Sequence, residues 1–314
     1  MKHFLLVIAL IFLLASNICF ARTTLNWGIR SDLVYFKKSA QLFKSEVEKK
    51  TSGRVLINLV EYPESDEEKQ LATESIASGK YQIGQELTTK LTSKSTQMEL
   101  WNLPFLFKND KQLESFFTGA LGQKHLESLE TVELLPVNYS FSGGFLIIYG
   151  QEIKSINDLS EKELTIEEKS DSYSHMLMTH KIKAVKNDVE LNYNELITAV
   201  ADELIRKNDI NKKFINITNH RVITRVVFVD KKSLLKMSAP DRKTVLDSLK
   251  KHIDLERKLS VEGRYLMLKV LENRGAIINN WTEKQKVDGR NYFKKAFSDF
   301  MIKNGDLVKQ IDKL

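Results

Sequence analysis

The chain has 314 residues and a formal net charge of +7 at pH 7, and 28% of its residues are charged. This length is enough for two lobes that each bury a core. Acidic residues alternate with basic ones almost everywhere, as in residues 284–288, so the sequence lacks the one-sided basic face with aromatic residues that nucleic-acid binding needs. We therefore expect no nucleic-acid partner, while a weak attraction to an anionic membrane or an acidic partner stays open.

Residues 1–21 have the features of a signal peptide. A short basic start is followed by an apolar run over residues 4–15, and Cys19 and Ala21 place small residues three and one positions before a cleavage site. That run, like every later one, is shorter than the roughly 20 residues of a membrane-spanning helix. We predict cleavage after Ala21 and a soluble periplasmic protein. The alternative, a lipoprotein anchored through Cys19, is weaker because Ile18 stands where a small residue is expected.

The first third of the chain alternates strands and helices. The residue pattern predicts strands over 25–30, 55–62 and 81–87, and amphipathic helices over 37–50 and 66–78. Gly79 ends the second helix as a C-terminal cap. A β-α-β-α-β order implies right-handed crossovers and a largely parallel sheet.

Residues 101–107 form an apolar segment that regular structure cannot accommodate. Pro104 lies in its middle, lacks an amide hydrogen and has a fixed φ, so a continuous helix or central strand is excluded. Trp101, Phe105 and Phe107 must therefore be buried against a larger surface. Taken alone, the segment is predicted to be a loop that fills a core.

Further elements follow in the second and third parts of the chain. Predicted helices cover 111–117, 123–131, 172–180 and 193–206, and predicted strands cover 134–141, 145–149, 164–166, 214–218 and 224–230. The Ser-Gly-Gly sequence at 142–144 is predicted to be a flexible joint between two strands.

Capping residues mark the starts of two long helices. Ser238, Pro240 and Asp241 predict one start, and an apolar stripe continues from there to Gly275. At about 1.5 Å per residue this helix would approach roughly 50 Å, which is long enough to brace two lobes. Residues 282–285 form a second capping box, which opens a last long helix.

The sequence predicts no catalytic residue, metal site or cofactor. It contains no grouping of Ser, His and acid with a nucleophile signature and no glycine-rich phosphate loop. His175 and His180 are five residues apart, whereas metal-binding pairs on one helical face are three or four apart. We therefore expect a protein that is not an enzyme.

Five short strings, in a consistent order and spacing, are similar to those of one family. They cover residues 48–55, 103–107 with 119–122, 153–159, 228–232 and 235–242. Together with the order of elements, they resemble the extracytoplasmic solute-binding proteins of tripartite ATP-independent periplasmic (TRAP) transporters, the DctP-like receptors. The resemblance runs over residues 25–301.

This resemblance implies an α/β fold of the two-lobed periplasmic binding protein type, class II-like or Venus-flytrap, with crossing strands and a long bracing helix. The implied organisation is a signal peptide over 1–21, a first lobe over 22–141 plus 220–262 and a second lobe over 142–219 plus 263–314. It also implies that a small solute selects the closed form and that TRAP permease subunits in the membrane recognise that form.

Members of the family hold the carboxylate of a solute with an arginine at the end of a strand, because a guanidinium offers two parallel N–H donors. In this chain Glu167 stands at that position, and the position of a second arginine falls near Gly144. The sequence has no arginine between Arg54 and Arg206, and the family's stretch after Ala201 is shortened. Loss of such a charge-assisted pair reduces affinity for an acid by on the order of 100-fold.

Five residues are candidate ligand-binding residues. Ligands of open α/β sheets bind at the carboxyl ends of strands, which selects Arg30 and Glu86, although an ion pair inside or on a lobe is an equal alternative for both. Asn138 and Ser142 are polar where the lobes meet, and Glu167 is a candidate cation contact. Two functions stay open: a solute receptor whose cleft takes a neutral or cationic solute, or a periplasmic module that docks another protein and has lost carboxylate-solute binding.

Overall fold

The computed structural model describes residues 22–29, 34–61, 72–131, 133–144, 147–149, 151–165, 177–178, 180–185 and 211–314. Its strands are β1 (Thr23–Ile29), β2 (Val55–Glu61), β3 (Ile83–Leu87), β4 (Leu134–Gly144), β5 (Ile147–Tyr149), β6 (Glu163–Thr165), β7 (Lys183–Val185), β8 (Phe214–Ile217), β9 (Val222–Asp230) and β10 (Ile277–Asn280). Its helices are α1 (Val34–Lys50), α2 (Ala72–Ala77), α3 (Asp110–Thr118), α4 (Ala120–Glu127), α5 (Lys231–Leu235), α6 (Ala239–Asn273), α7 (Glu283–Phe293) and α8 (Ser298–Ile311).

The first sheet is mixed. Within the described residues its strand order is β2-β1-β3-β9-β4. β1 is parallel to β2 and β3, whereas β9 is antiparallel to both β3 and β4. The strands of the predicted β-α-β-α-β run, β1 to β3, are parallel as predicted, whereas the sheet departs from a largely parallel one where β9 pairs with β3 and β4. β4 runs from the first sheet toward the second sheet, and β9 returns from the second sheet beside it, so these two strands run in opposite directions.

β4 continues through the predicted joint. The strand reaches Gly144 instead of ending before Ser142, and its register against β9 shifts between Pro136 and Asn138 and again between Phe141 and Gly143. Gly143 has a φ of +129°, which a residue with a side chain rarely adopts. Gly143 thus allows the register shift within a continuous strand, where the sequence predicts a flexible joint between two strands.

The second sheet has the order β10-β8-β5, with β10 parallel and β5 antiparallel to β8. β6 and β7 pair separately in parallel. Because β4 leads to β5 and β8 leads to β9, two passages of the chain join the first sheet to the second. The sequence pattern does not predict β10, because this short strand is only partly buried and lacks an apolar period.

Each face of the first sheet has its own apolar core. The face covered by α1 and α6 buries, among others, Leu25, Trp27, Phe43, Val227 and Leu249. The opposite face buries, among others, Trp101, Phe107, Phe116, Tyr139 and Phe228. A third cluster beside the second sheet contains Phe105, Ile147, Ile153, Trp281 and Phe293.

α6 is the long helix that the sequence predicts. Ser238 caps it by accepting a hydrogen bond from the amide of Asp241 at 3.2 Å, and its 35 residues span roughly 52 Å at about 1.5 Å each. Leu249 belongs to the core of the first sheet, and Leu271 packs with Ile215 of β8. One helix therefore contacts both sheets. Among the described helices, α6 included, none has the combination of length and apolar character that a membrane crossing requires.

The predicted last helix is interrupted. α7 begins at the capping box of Thr282 and Gln285, as predicted, but a 3-10 turn over Lys294–Phe297 separates it from α8. Phe293 of α7 lies in the cluster beside the second sheet, whereas Phe300 of α8 lies in the core that contains Trp101. The interruption thus lets the chain pass from one core to the other.

Candidate ligand-binding site

Three of the five predicted ligand-binding residues fall on described strands. Glu86 is the penultimate residue of β3, and Asn138 and Ser142 lie on β4. Arg30 and Glu167 lie outside the described residues. The carboxyl end of β3 pairs with the first half of β9, near the point where β4 and β9 pass to the second sheet. Glu86 and Ser142 are therefore placed at the same end of the first sheet.

Glu86 is a buried carboxyl group, only 3% exposed. It accepts hydrogen bonds from the amides of Leu87 at 3.2 Å and Thr73 at 3.5 Å. Burial raises the pKa of Glu86 to about 7, against the opposing effects of Lys90, these amides and Arg225. Near neutral pH the group is therefore present in both its protonated and its charged form, so it can donate as well as accept a hydrogen bond.

Ser142 is the hydrogen-bond partner of a buried arginine. Nη1 of Arg225 donates to Oγ of Ser142 at 2.6 Å, and the arginine is only 4% exposed. Arg225 lies on β9, opposite Leu87 of β3 and Ser140 of β4. Arg225 is not among the five predicted ligand-binding residues. The available signal was a single charge within the otherwise apolar and hydroxylic stretch 222–229, since a buried arginine in a central strand needs a specific partner.

A second buried carboxyl group lies between the strands and α6. Glu256 of α6 accepts hydrogen bonds from Oγ of Ser140 and from Nε2 of Gln85, the latter at 3.3 Å. Burial raises its pKa to about 7, while Ser140 and the charge of Arg225 act in the opposite direction. Gln85, Ser140, Ser142, Arg225 and Glu256 thus form a polar layer at this end of the sheet.

Asn138 is held by its own strand and by α6. Its Nδ2 donates to Oδ1 of Asp254 at 3.1 Å, and its Oδ1 accepts from the amide of Tyr139 at 2.8 Å. Arg257, one helical turn after Asp254, donates to the carbonyl of Tyr139 at 2.8 Å and to Glu114 of α3. These contacts tie β4 to two helices. As a ligand contact Asn138 stays a prediction, as do Glu86 and Ser142.

The apolar segment 101–107 links two cores beside this site. Trp101 and Phe107 belong to the core of the first sheet, and Phe105 belongs to the cluster beside the second sheet. Phe105 has a φ of +54°, and its amide donates to the carbonyl of His220 at 2.7 Å. Burial lowers the pKa of His220 to about 3, so this ring is neutral at physiological pH.

The described part of the chain offers no candidate metal centre. In the described ranges, no group of three or more His, Cys, Asp and Glu side chains is placed to hold a metal ion. His180, one of the two histidines weighed above, approaches the carbonyl of Tyr292 at 2.8 Å through its Nε2. Its counterpart His175 lies outside the described residues.

Part of the sequence matches a protein-family model. The model of the DctP family, bacterial extracellular solute-binding protein, family 7, matches residues 30–201, which is more than half of the chain. No curated protein matches the sequence.

Solved structures of TRAP periplasmic solute-binding proteins have the same fold. The protein from Ochrobactrum anthropi, whose C-terminus is bound in its ligand-binding pocket, is 17% identical with a TM-score of 0.78, over 94% of this chain and 95% of that one. The protein from Ralstonia eutropha H16, with bound (S)-2-acetolactate, is 16% identical with a TM-score of 0.76, over 92% and 98%. The protein from Chromohalobacter salexigens, with bound D-glucuronate, is 19% identical with a TM-score of 0.72, over 92% and 98%. At these identities the likeness establishes the two-lobed fold alone.

Proposed function

Because the chain belongs to family 7 of the bacterial extracellular solute-binding proteins, we propose that it captures a small solute between its two lobes and delivers it to the membrane permease of a TRAP transporter. The observation that carries this proposal is the family match over residues 30–201. The family consists of solute-binding proteins that work outside the cytoplasm, and not of enzymes.

The architecture supports capture by hinge closure. In the described part of the chain, the two packed bodies are connected by the passage from β4 to β5, the passage from β8 to β9, α6, and the passage from α7 to α8. A few connecting segments between two packed bodies permit rotation of one body against the other. A solute that contacts both lobes would then select the closed form, and the permease would recognise that form.

We propose the lobe boundaries given by the sequence, with one change. The first lobe comprises 22–141 plus 220–262, and the second lobe comprises 142–219 plus the residues from 263 to the start of α8. α8 is better placed with the first lobe, because Phe300, Val308 and Ile311 pack in the core around Trp101. The C-terminal helix would then move with the first lobe during closure.

A signal peptide over residues 1–21 completes the proposal. Cleavage after Ala21 would release a protein that begins at Arg22. The mass of the protein purified from the periplasm tests this directly, because the lipoprotein alternative would begin at Cys19 and carry acyl chains.

The purified protein should respond to one class of solute in a thermal-shift screen with organic acids, amino acids, polyamines and sugars. A ligand at about 100 times its Kd adds about 2.7 kcal/mol to the free energy of unfolding, which corresponds to a few degrees for a chain of this length. Small-angle scattering of the responding pair should then show a smaller radius of gyration. No response to any class would contradict the proposal and favour the protein-docking alternative, which no comparison supports.

A further inference from the structure

A groove beside the first sheet combines an apolar floor with a basic rim. It has a volume of about 340 Å³ and lies where the start of β4 meets the first turns of α6. A volume of this size is within the range of clefts that bind ligands. We call it the basic groove. Its floor consists of Leu135, Pro136 and Val137 of β4 and Leu246 of α6, and Arg242 and Lys250 of α6 lie along its rim.

The rim of the basic groove is positively charged. Arg242 is half-buried and Lys250 is exposed, and neither has an ion pair among the residues that the structure describes. Lys243 and Asp247 also line the groove, but they form a salt bridge with each other. The net charge of the lining is therefore positive, which is complementary to an anionic occupant.

The spacing of the two rim cations favours an extended occupant over a small anion. Arg242 and Lys250 are two helical turns apart on α6, which is roughly 12 Å. Leu246 lies midway between them and places an apolar surface between the two charges. One face of α6 thus offers a cation, an apolar side chain and a second cation at intervals of one helical turn.

The floor of the basic groove disfavours a membrane and an added strand. Pro136 and Val137 are buried, and a flat lipid surface does not reach a recessed floor. β4 is an edge strand of the first sheet within the described residues, but Pro136 has no amide hydrogen to offer an added strand. The backbone N–H and C=O of Leu134 already bond to Thr131. A helix needs none of these backbone groups, because it binds an apolar groove through its side chains.

We propose that the basic groove docks an acidic amphipathic helix of a second protein. The helix presents an apolar residue to Leu246 and acidic residues, one turn before and one turn after it, to Arg242 and Lys250. This pattern is the same in both directions along the helix, so it fits either orientation. The docking is additional to solute capture and does not depend on it.

The basic groove is remote from the candidate ligand-binding site. Leu135 pairs with Val229 near the start of β4, and Ser142 follows seven residues later in the same strand. At about 3.3 Å per residue this separation is roughly 20 Å. The groove is also formed entirely by elements that contact the first sheet. We therefore expect helix docking and solute binding to be independent of each other.

Fluorescence anisotropy with a matched pair of labelled peptides tests the inference. The probe is an alanine-based helical peptide of about 20 residues in which each leucine is flanked by glutamates one turn before and after it. Its counterpart has glutamine in place of every glutamate. An exposed ion pair contributes about threefold to fivefold in affinity, so the purified protein should bind the acidic peptide at least about tenfold more tightly. Added salt should reduce this preference.

The double variant Arg242→Gln, Lys250→Gln should lose the preference for the acidic peptide. Its matched control is Lys258→Gln, Lys295→Gln, which removes the same charge from two exposed positions outside the groove. The control should keep the preference. If the double variant does not fold, Lys250→Gln alone decides, because Lys250 is exposed, and it should lose about threefold to fivefold.

Several outcomes would overturn the inference. Equal affinity for the two peptides would do so, as would unchanged affinity for the acidic peptide in the folded double variant. Binding to phosphatidylglycerol vesicles that the double variant loses would assign the groove to a membrane, and a dimer in sedimentation that the double variant loses would assign it to a second copy of the chain. The thermal-shift response to solutes should be the same in the unmodified protein and the double variant. Loss of that response in the variant would overturn the independence of the two sites, whereas absence of any solute response in both would contradict the proposed function alone.

Discussion

Phe105 lies parallel to Trp281, with ring centroids 5.7 Å apart and an angle of 1° between the ring planes. Phe105 belongs to a loop whose neighbouring aromatics pack in the first core, whereas Trp281 follows β10 of the second sheet. The indole Nε1 of Trp281 donates to the carbonyl of Ile153 at 2.7 Å, which holds the stacking surface in place. A single side chain thus connects the loop to the apolar cluster beside the second sheet.

Replacing Phe105 by alanine should lower the free energy of unfolding by about 3–5 kcal/mol, because the side chain is buried and the stacked contact is lost. Phe105→Gly should be more stable than Phe105→Ala by about 1 kcal/mol, since the φ of +54° strains every residue except glycine. Urea unfolding of the two variants measures the difference. An alanine variant more stable than the glycine variant would contradict the left-handed backbone at this position.

Two helical glycines should respond oppositely to alanine. Gly289 of α7 faces Phe105, and an added Cβ would lie 2.6 Å from Cε2 of that ring, so Gly289→Ala should destabilise the protein by about 1–3 kcal/mol. Gly263 of α6 has open space around it, so Gly263→Ala should stabilise the protein by about 1 kcal/mol through helix propensity. Urea midpoints of the pair check both signs. Equal effects would show that α7 does not approach Phe105 closely.

Glu256→Gln should change how stability depends on pH. The side chain has a pKa of about 7 in the folded protein and an ordinary value of 4.5 in the unfolded chain. Between these values the unfolded state releases the proton first, so stability falls as pH rises through this window and the loss is complete above pH 7. Glutamine has no such proton. The free energy of unfolding of the variant, relative to that of the unmodified protein, should therefore rise by up to about 3 kcal/mol between pH 4.5 and pH 8.

The comparison must be made as a difference between the two proteins. Burial lowers the pKa of His125 to about 4 and that of His220 to about 3, so both histidines make stability rise with pH up to their ordinary value of 6.5. Because both proteins contain them, their effect cancels in the difference. Urea unfolding at pH 5 and pH 8 is sufficient, and a difference that does not change with pH would exclude a protonated Glu256.

Arg257→Gln should destabilise the protein by about 3 kcal/mol. The guanidinium is 2% exposed and donates to a backbone carbonyl of β4 and to two carboxylates, Glu114 and Asp254. Removing one partner of a buried ion pair costs about 3–5 kcal/mol. The lower end of this range applies because the side chains of both carboxylates are about half exposed, so water can solvate them when the arginine is gone. Glu114→Gln, a change on the exposed partner, should cost about 1 kcal/mol or less. In thermal melts, Arg257→Gln should therefore have a lower melting temperature than Glu114→Gln.

The elements marked by local chemistry are the ones that sequence predicts well. The cap at Ser238 and the capping box at Thr282 and Gln285 lie at the starts of α6 and α7, as expected. Both signals arise within four residues, so they need no knowledge of the rest of the fold. The apolar segment around Pro104 is likewise buried as predicted, with Trp101, Phe105 and Phe107 all less than 10% exposed.

Features that depend on distant pairing were missed. The antiparallel direction of β9 follows from the return of the chain from the second sheet, which no local pattern records. Arg225 becomes a candidate only when β9 is placed between β3 and β4, because the strand pairing brings it beside Ser142. The family resemblance instead implies arginines at Glu167 and near Gly144, and this sequence has no arginine at either position.

The side chains of segment 101–107 pack in two different apolar cores, and this has an evolutionary consequence. Trp101 contacts Phe116 and Tyr139 in the core of the first sheet, while Phe105 stacks on Trp281 and lies close to Gly289 in the cluster beside the second sheet. Substitutions at neighbouring positions of one short loop should therefore covary with different, distant sets of residues across homologues. A change at Phe105 should be accompanied by changes in residues 281–293, and a change at Trp101 by changes in residues 116–139.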